Sequence, residues 1–579
     1  MSDPVLIKTR VRRYLYGGIL CVAVVLIPAW VFSRPELWHG FKIDIVDIVP
    51  WEWSADVTVH PEPTIAISPS APDTIAVSAY LIGRNPASEE SFCSSEFGGV
   101  LMSFDGGANW TLRCPLPKPA DSKVLGDLSL DFTGDGKLLL ASYITKNSSD
   151  VLIPRVQTIV GWAEYETTAS TERSVPSPSV KVDQPFVVAS PNRVSQAFVV
   201  GSQQQLTTCG GWGLAWWWTT NGSAGPPNCV STREGTAVMA VRFALASDGR
   251  LYGLFFAVRP DETNANPGPA DLVLVRGKLG EDASAVASFD DLHDDKLLDP
   301  WIGADDPCAV PDSELGSRLR NCAKVPKDAW QQRGPDGCLP NMGFQVRNPN
   351  QFALAIDPAQ SQTVYYAYAD RTPGLAEGET SSAVDSITLR LARWSDVGGV
   401  QQTQELLVVH NALNPAIAVT ASGRIGLAYQ QWIGDEWRTH MLISDENHAK
   451  WANVPLTDPS PASEPGYNCG FSSPYLGDYI DLAVVDNTFY GTFSANNNPA
   501  RNPNARYLRD KSMLGTSVAY TIDPFFFKIE TGASRISIVM ATIGSRLTSL
   551  FERLRWWMRP PPILPPVRGP RIVQGQRPG

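Results

Sequence analysis

The sequence has no C-x-x-C spacing and only six histidines, so it lacks the patterns typical of a zinc site. It also lacks a basic excess. With 48 Lys and Arg against 59 Asp and Glu, its net charge is −11, which gives no support to nucleic-acid binding. Long uninterrupted helices are disfavoured because 46 Gly and 47 Pro are spread along the 579 residues. We therefore expect a turn-rich globular protein with no metal and no cofactor.

One long hydrophobic run is present, at residues 14–32, "YLYGGILCVAVVLIPAWVF". Its 19 uncharged residues are enough to cross a bilayer as a helix. Basic residues precede it, which predicts a cytoplasmic N-terminus at 1–13 and an extracytoplasmic remainder. A cleaved signal peptide is the alternative, but the residues that follow lack an A-x-A cleavage pattern. The run predicts an uncleaved single-pass membrane anchor, followed by a linker at 33–54.

Eight cysteines follow this run, an even number that suits an oxidising compartment. Two pairs flank segments the size of a hairpin and are candidate disulfides, namely Cys93 with Cys114 and Cys209 with Cys229. The pairing of the remaining four, Cys308, Cys322, Cys338 and Cys469, stays open.

A two-strand unit recurs along the chain, mostly at spacings near 60 residues. "EPTIAISPSAPDTIAVSAY" from Glu62 and "NPAIAVTASGRIGLAYQQW" from Asn414 are examples, each with an apolar strand, a turn and a second apolar strand. Third and fourth strands can be read after several units. This repetition over 55–530 predicts an all-β fold, a β-propeller of about seven four-stranded blades, with six possible. A long array of β-sandwiches is the structural alternative.

The stretch "SFDGGANW" follows the third strand of the first unit. Here Asp105 can accept bonds from the amides of its own turn, and the glycines allow positive φ. Weaker echoes occur at 395–399 and 444–451, also after third strands. A catalytic carboxylate does not need repeating, so we interpret the motif as a structural fastener at a blade corner.

These residues resemble the sialidase-like Asp-box (BNR-repeat) propeller family. The S-x-D-x-G-x-x-W core of the Asp box matches Ser103, Asp105, Gly107 and Trp110. The resemblance implies a β-propeller whose Asp boxes lie on the pole away from any active site. Catalytic sialidases also carry an F-R-I-P-like motif, which this chain lacks; the nearest basic residue is Arg84 in "YLIGRNP". No catalytic residue is therefore carried over.

Strand alternation indicates which pole binds a ligand. Residues just before first strands and just after second strands share one pole, and Glu62, Asp127, Asn350 and Asn414 are among those before first strands. Such polar side chains on rigid strand ends suit a sugar, and an arginine there can bind a carboxylate with two hydrogen bonds. Ordinary turn chemistry is the alternative explanation for each residue taken singly. The candidate ligand-binding residues at this pole are Arg84, Asp183, Arg259, Asp261, Asp370, Arg371, Asp478 and Tyr479.

Two further segments stand apart from the repeat. An insertion at about 280–345 holds three cysteines and is expected to be an elaborated loop. Residues 531–558 have apolar side chains at the spacing of one helix face, which predicts an amphipathic helix, followed by a Pro- and Arg-rich tail at 559–579. This helix could pack on the propeller, lie on the membrane surface or dock a partner.

The sequence thus predicts a membrane-anchored, exported β-propeller that acts as a binding or scaffold module and recognises a glycan or an envelope protein. An exo-sialidase-type glycoside hydrolase is the alternative function. An accessory subunit of a membrane complex is a further one.

Overall fold

The structure is a computed structural model. It describes residues 41–49, 62–79, 99–113, 122–146, 152–159, 170–174, 183–189, 196–202, 214–219, 228–229, 237–260, 267–279, 286–292, 320–321, 352–371, 387–433, 436–457, 480–497, 505–507 and 522–532. The chain divides into two compact units. Lys42–Gly532 forms one, and Met1–Phe41 with Ala533–Gly579 forms the other, which lies outside the described residues except for Phe41.

The described residues are all-β, and their strands form seven sheets that we call blades 1 to 7 in chain order. One strand, β1 (Phe41–Asp47), precedes blade 1. Blades 1 to 3 comprise β2 (Thr64–Ile67), β3 (Ile75–Ala79), β4 (Gly99–Ser103) and β5 (Thr111–Arg113); β6 (Ser122–Phe132), β7 (Leu138–Lys146), β8 (Leu152–Ile159) and β9 (Ser170–Ser174); and β10 (Asp183–Ala189), β11 (Gln196–Ser202), β12 (Leu214–Thr219) and β13 (Asn228–Cys229).

Blades 4 to 6 continue the pattern. They comprise β14 (Ala237–Leu245), β15 (Arg250–Pro260), β16 (Pro267–Leu279) and β17 (Val286–Leu292), with β18 (Arg320–Asn321) paired to β16; β19 (Phe352–Ile356), β20 (Thr363–Arg371), β21 (Ile387–Val397) and β22 (Val400–His410); and β23 (Ala412–Val419), β24 (Ile425–Ile433), β25 (Glu436–Ser444) and β26 (Trp451–Pro455). Blade 7 has the order β27 (Asp481–Val485), β28 (Thr488–Asn496), β30 (Ile522–Thr531), β1 and β29 (Arg506–Tyr507).

The first strands of the seven blades contact one another in a closed ring, so the sheets are arranged radially as a β-propeller. β2 contacts β6, β6 contacts β10, and the series continues through β14, β19 and β23 to β27, which contacts β2. Within blades 1 to 6 consecutive strands are antiparallel, as a meander requires; an example is β24 with β25, paired from Gly426↔Ile443 to Ile433↔Glu436. In blade 7, β1 pairs with β29 in parallel.

Two blades depart from the four-stranded unit that the repeat predicts, and five match it. β1 lies within the segment 33–54 that the sequence assigns to a linker; it is instead a strand of blade 7. A lone strand whose partners are more than 450 residues away in sequence leaves no local repeat to detect. Similarly, β17 lies inside the predicted insertion at 280–345 but forms the fourth strand of blade 4.

The described residues contain no helix, and thus none long and apolar enough to span a membrane. The predicted anchor at 14–32, the amphipathic helix at 531–558 beyond Gly532, and the tail lie outside the described residues.

Blades are held together by apolar side chains packed between neighbouring sheets. Between blades 4 and 5, Tyr252, Tyr366 and Trp394 are fully buried in one cluster. Between blades 5 and 6, Tyr365 and Tyr429 are buried with the aliphatic residues of β19 and β23. Each large aromatic side chain buries a large apolar area, and this area stabilises the contact between neighbouring sheets.

Candidate functional site

A cavity of about 210 Å³ lies where the first strands converge on the propeller axis. Every blade contributes to its lining. The lining residues lie on the first strands or directly beside them, and the polar ones are Thr64, Ser129, Arg242, Asn414 and Asp481. Phe186, Phe243, Phe352 and Ile480 supply much of the apolar surface. This mixture of a few converging polar groups and aromatic rings is typical of small-molecule sites.

Arg242 and Asp481 give this cavity its charge. Arg242 lies with its guanidinium carbon 5.2 Å from the centre of the Phe186 ring, within the range of a cation–π contact. Burial raises the pKa of Asp481, and amide hydrogen bonds from Ile65 and Leu482, together with the nearby Arg242 charge, oppose that rise. The cavity therefore presents one cation beside one carboxyl group whose pKa is above its ordinary value.

Asp481 also joins blade 7 to blade 1. Its Oδ2 accepts a hydrogen bond from the amide of Ile65 at 3.0 Å, and its Oδ1 accepts one from the amide of Leu482 at 2.9 Å. Ile65 lies on β2, whose edge toward the axis has no neighbouring strand in its sheet. Amides on such an edge need another acceptor, and the carboxylate supplies it.

The same arrangement joins blade 2 to blade 3. Asp131 Oδ2 accepts from the amide of Ala189 at 2.6 Å and Oδ1 from that of Phe132 at 2.8 Å, while Ser129 Oγ accepts from the amide of Val187 at 3.1 Å. Burial raises the pKa of Asp131 to about 7; the amide hydrogen bonds oppose this rise, and the charge of Asp481 adds to it. Asp131 keeps some exposed surface. The two carboxylates are thus electrostatically coupled near the axis.

Asn414 combines a cavity position with an unusual backbone. Its φ is +56°, in the left-handed region that few residues other than glycine adopt readily. Its Nδ2 donates to Gln430 Oε1 at 2.8 Å, and both side chains are buried. Glu62, which also precedes a proline, has φ +59°; unlike Glu62, Asn414 lies inside its first strand, β23, and not before it as the sequence predicts. Such conformations persist where surrounding structure fixes them, which is frequent at binding sites.

The eight predicted pole residues divide into two groups. Four lie outside the described residues, namely Arg84, Asp261, Asp478 and Tyr479. The others lie at strand ends, with side chains that are not described: Asp183 begins β10, Arg259 is next to last in β15, and Asp370 and Arg371 end β20. Their Cα positions pair with neighbouring strands as Asp183↔Ser202, Asp370↔Thr388 and Arg371↔Ile387. Their contribution to a ligand site stays a prediction.

The residues that match the predicted Asp-box core lie at the end of β4 and in the turn that leads to β5. Asp105 Oδ1 accepts from the Asn109 amide at 2.8 Å and from the Ser103 hydroxyl at 2.9 Å, and Oδ2 accepts from Asn109 Nδ2 at 2.6 Å. Desolvation raises the pKa of Asp105, but these hydrogen bonds together outweigh it and hold the pKa below its ordinary value. The buried Ser103 Oγ also accepts from the amide of Gly107 at 2.9 Å. The carboxylate is thus engaged in bonds that fix its own turn.

This turn packs onto the last blade. The ring of Trp110 lies 5.1 Å from that of Phe526 on β30, and Arg506 on β29 donates to the carbonyl oxygens of Ala108 and Gly107 at 2.8 and 3.3 Å. Gly106 donates to Asp73 O at 2.9 Å, in the β2–β3 turn. That turn follows the end of β2, whereas the cavity is lined by its first residue, Thr64.

Of the cysteines in the candidate disulfides, Cys229 lies on β13, paired with Leu214, and its side chain is not described. Cys93, Cys114 and Cys209 lie outside the described residues. The described residues contain no cluster of three or more His, Cys, Asp or Glu side chains suited to a metal ion.

Sequence reasoning did not single out Arg242, Asp481 or Asp131. Each is an ionisable residue within a largely apolar stretch of a first strand, in "VRFAL", "IDLAV" and "LSLDF". A charge in such a strand requires a partner or a polar cavity, since an isolated buried charge is costly. An ionisable residue inside a largely apolar stretch of a first strand is therefore a sequence signal that all three share.

No protein-family model matches the chain. No curated protein matches it either.

Several solved structures resemble the chain distantly. A protein of unknown function from Dyadobacter fermentans aligns over 85% of this chain and 99% of its own, at 11% identity and a TM-score of 0.39. Trypanosoma rangeli sialidase aligns over 90% of this chain and 64% of its own, at 12% identity and a TM-score of 0.35. Penicillium chrysogenum alpha-L-arabinanase covers 70% and 95%, at 12% identity and a TM-score of 0.33. With TM-scores this low, the fold assignment depends on the strand pairing of this chain.

Proposed function

We propose that the protein is a membrane-anchored, extracytoplasmic binding module whose axial cavity takes a small polyhydroxylated ligand, such as a terminal sugar of a glycan. The single observation that carries this proposal is the composition of the cavity lining. Aromatic rings there can stack on the apolar face of a sugar, and hydroxyl, amide, guanidinium and carboxyl groups can bond its hydroxyls. The anchor is residues 14–32, and residues 1–13 are cytoplasmic.

The position of the Asp-box turn supports a binding function at the opposite end of the blades. Its Ser, Asp and Trp are engaged within the turn and against blade 7. We propose that these residues fasten blade 1 to blade 7, leaving the axial cavity as the site that contacts ligand.

Saturation-transfer NMR on the full-length protein in detergent tests the proposal, with N-acetylneuraminic acid and L-arabinose as an acidic and a neutral probe. We expect transfer to at least one sugar, and binding weakened about tenfold or more in Arg242→Gln, because a charge-assisted hydrogen bond is lost. Arg424→Gln is the matched control, since Arg424 bonds Ser444 O and Glu446 outside the cavity lining. No transfer to either sugar from folded protein, or equal loss in both variants, would contradict the proposal.

A glycoside hydrolase is the second candidate function. The observation that favours it is Asp481, a cavity carboxyl with a raised pKa, as a general acid requires. Turnover of a fluorogenic sialoside that is lost in Asp481→Asn, with sugar binding retained, would establish this function. Binding without turnover would leave the protein as a binding module.

A further inference from the structure

The outer edge of blade 5 is longer than the outer edges of the other blades. β22 has 11 residues and stands last in the sheet order β19-β20-β21-β22. The outermost strands of the other six blades have only two to seven residues. Among the described strands, none pairs with the outer side of β22, and every residue of β22 is exposed or partly exposed. A long, open strand of this kind is a template for pairing with another strand.

The sequence of β22, "VQQTQELLVVH", lacks the residues that usually protect such an edge. It contains no lysine and no proline. Its one acidic residue, Glu405, is paired within the blade, since Arg390 Nη1 donates to Glu405 Oε2 at 2.6 Å. Gln404 Oε1 likewise accepts from Arg393 Nη2 at 2.7 Å. The edge therefore combines residues that favour strands with little net charge to repel an added one.

The register of the β21–β22 hairpin determines which backbone groups face outward. Its two-residue loop is Gly398–Gly399, and the pair that closes it is Val397↔Val400. The closing pair of such a hairpin is hydrogen-bonded, and hydrogen-bonded and non-hydrogen-bonded pairs then alternate along the strands. The residues whose amide and carbonyl groups point away from β21 are thus Gln401, Thr403 and Glu405.

This pattern is complementary to itself. When two copies of β22 lie antiparallel with Thr403 opposite Thr403, the outward groups of Gln401 meet those of Glu405 in the other copy. The side chains of Gln402 and Gln404 become cross-strand neighbours. A pair of threonines opposite each other is favourable, and each Glu405 faces a neutral glutamine instead of a like charge.

We propose that the outer edge of blade 5 is a dimer interface, in which β22 pairs antiparallel with β22 of a second copy. Such an interface is isologous, because the same surface serves both copies. One strand from each side is less than the roughly 20 to 30 residues a side of a standard interface, so we expect a reversible dimer. The inference goes beyond the proposed sugar site, which is lined by first strands, whereas β22 is a fourth strand.

Photo-crosslinking of the full-length protein in detergent tests this inference. Exposed Gln402 is replaced by p-benzoyl-phenylalanine, and covalent products are mapped by mass spectrometry. We expect covalent dimers that join two β22 peptides, in a yield that rises with protein concentration. The control carries the same photoreactive residue at exposed Thr111 on β5, the outermost strand of blade 1, and should give several-fold fewer dimers.

Thr403→Pro provides a second test. Because the Thr403 amide points away from β21, proline there removes no hydrogen bond within the blade but blocks an added strand. Sedimentation velocity should show a concentration-dependent dimer for the wild type and a monomer for this variant. Thr403→Val is the matched control; it keeps the amide and should still form dimers.

Three results would overturn the proposal: a wild type that is monomeric at every concentration, crosslinks from position 402 only to peptides other than β22, and a folded Thr403→Pro variant that dimerises like the wild type. The crosslink map uses a chain that keeps Thr403, so it decides the question even if the proline variant does not fold. Sugar binding by the monomeric variant reports separately on the axial cavity.

Discussion

Gly107 has a left-handed backbone, with φ +95°, and it faces the ring of Phe526. A Cβ added at this position would overlap with the ring atoms of Phe526. Gly399, in the β21–β22 turn, has a similar φ of +82° but nothing within 4 Å of an added Cβ. Alanine substitutions at the two positions therefore separate the free energy cost of a left-handed backbone from that of a steric overlap.

Gly107→Ala should destabilise the protein by about 3 kcal/mol or more, since the ring must move as well as the backbone. Gly399→Ala should cost about 1 kcal/mol, because only the conformation is unfavourable. Urea denaturation of both variants beside the wild type measures the difference. Equal costs would show that the turn does not pack on blade 7 as described.

Asp105→Ala should lower stability by about 1 kcal/mol, because the amide and side chain of Asn109 lose their acceptor. Since the pKa of Asp105 is below its ordinary value of 3.8, the stabilisation is present above that value and is lost as pH falls below it. The control is Glu446→Ala, which removes a surface ion pair with Arg424 and should change little. Thermal denaturation at neutral and acid pH gives both comparisons; an Asp105→Ala variant as stable as the control would refute the fastening role.

At the scale of the elements, the first strands show why part of the propeller could be predicted from sequence. Alternating apolar residues and repeated turns predicted paired strands such as β23 and β24, because each unit is local. The bonds between blades were not predicted. They join Asp131 to Ala189, 58 residues apart, and Asp481 to Ile65, 416 residues apart, so no local pattern specifies the acceptor.

These junctions predict an unusual pH dependence. Because the folded pKa of Asp131 is raised from 3.8 to about 7, folding favours its protonated form. Stability should therefore rise as pH falls through about 7, by at most about 4 kcal/mol, and level off near 4. The raised pKa of Asp481 acts in the same direction. Asp131→Asn should lose most of this rise in denaturation measured across that range, and an unchanged profile would exclude Asp131 as its source.

At the scale of the whole molecule, β1 is the first described strand of the chain, and it lies in the same blade as β30, the last one. Val46 of β1 is fully buried, in a cluster with Tyr490 and Phe526. The sequence predicted the radial arrangement from its repeats but assigned this strand to a linker, since a single strand carries no repeat. The candidate cavity likewise could not be predicted from sequence, because its lining residues come from all seven blades.

Val46→Ala should destabilise the protein by about 2 kcal/mol, as expected for removing two methyl groups from a packed site. Lys42→Ala, on the same strand but exposed, should cost less than about 1 kcal/mol because it removes only a surface ion pair. Urea midpoints of the two full-length variants provide the measurement. If Val46→Ala were neutral, residues 41–47 would be a linker after all.

The central claim is that the axial cavity binds a sugar, and photoaffinity labelling tests it most directly. A diazirine derivative of whichever probe sugar binds is irradiated with the full-length protein, and the labelled peptides are identified by mass spectrometry. The account predicts labels on peptides that line the cavity, those around Phe352 and around Ile480–Leu482, and competition by unmodified sugar. Competed labels confined to peptides of the outer strands, such as β22, would place the ligand elsewhere and contradict the claim.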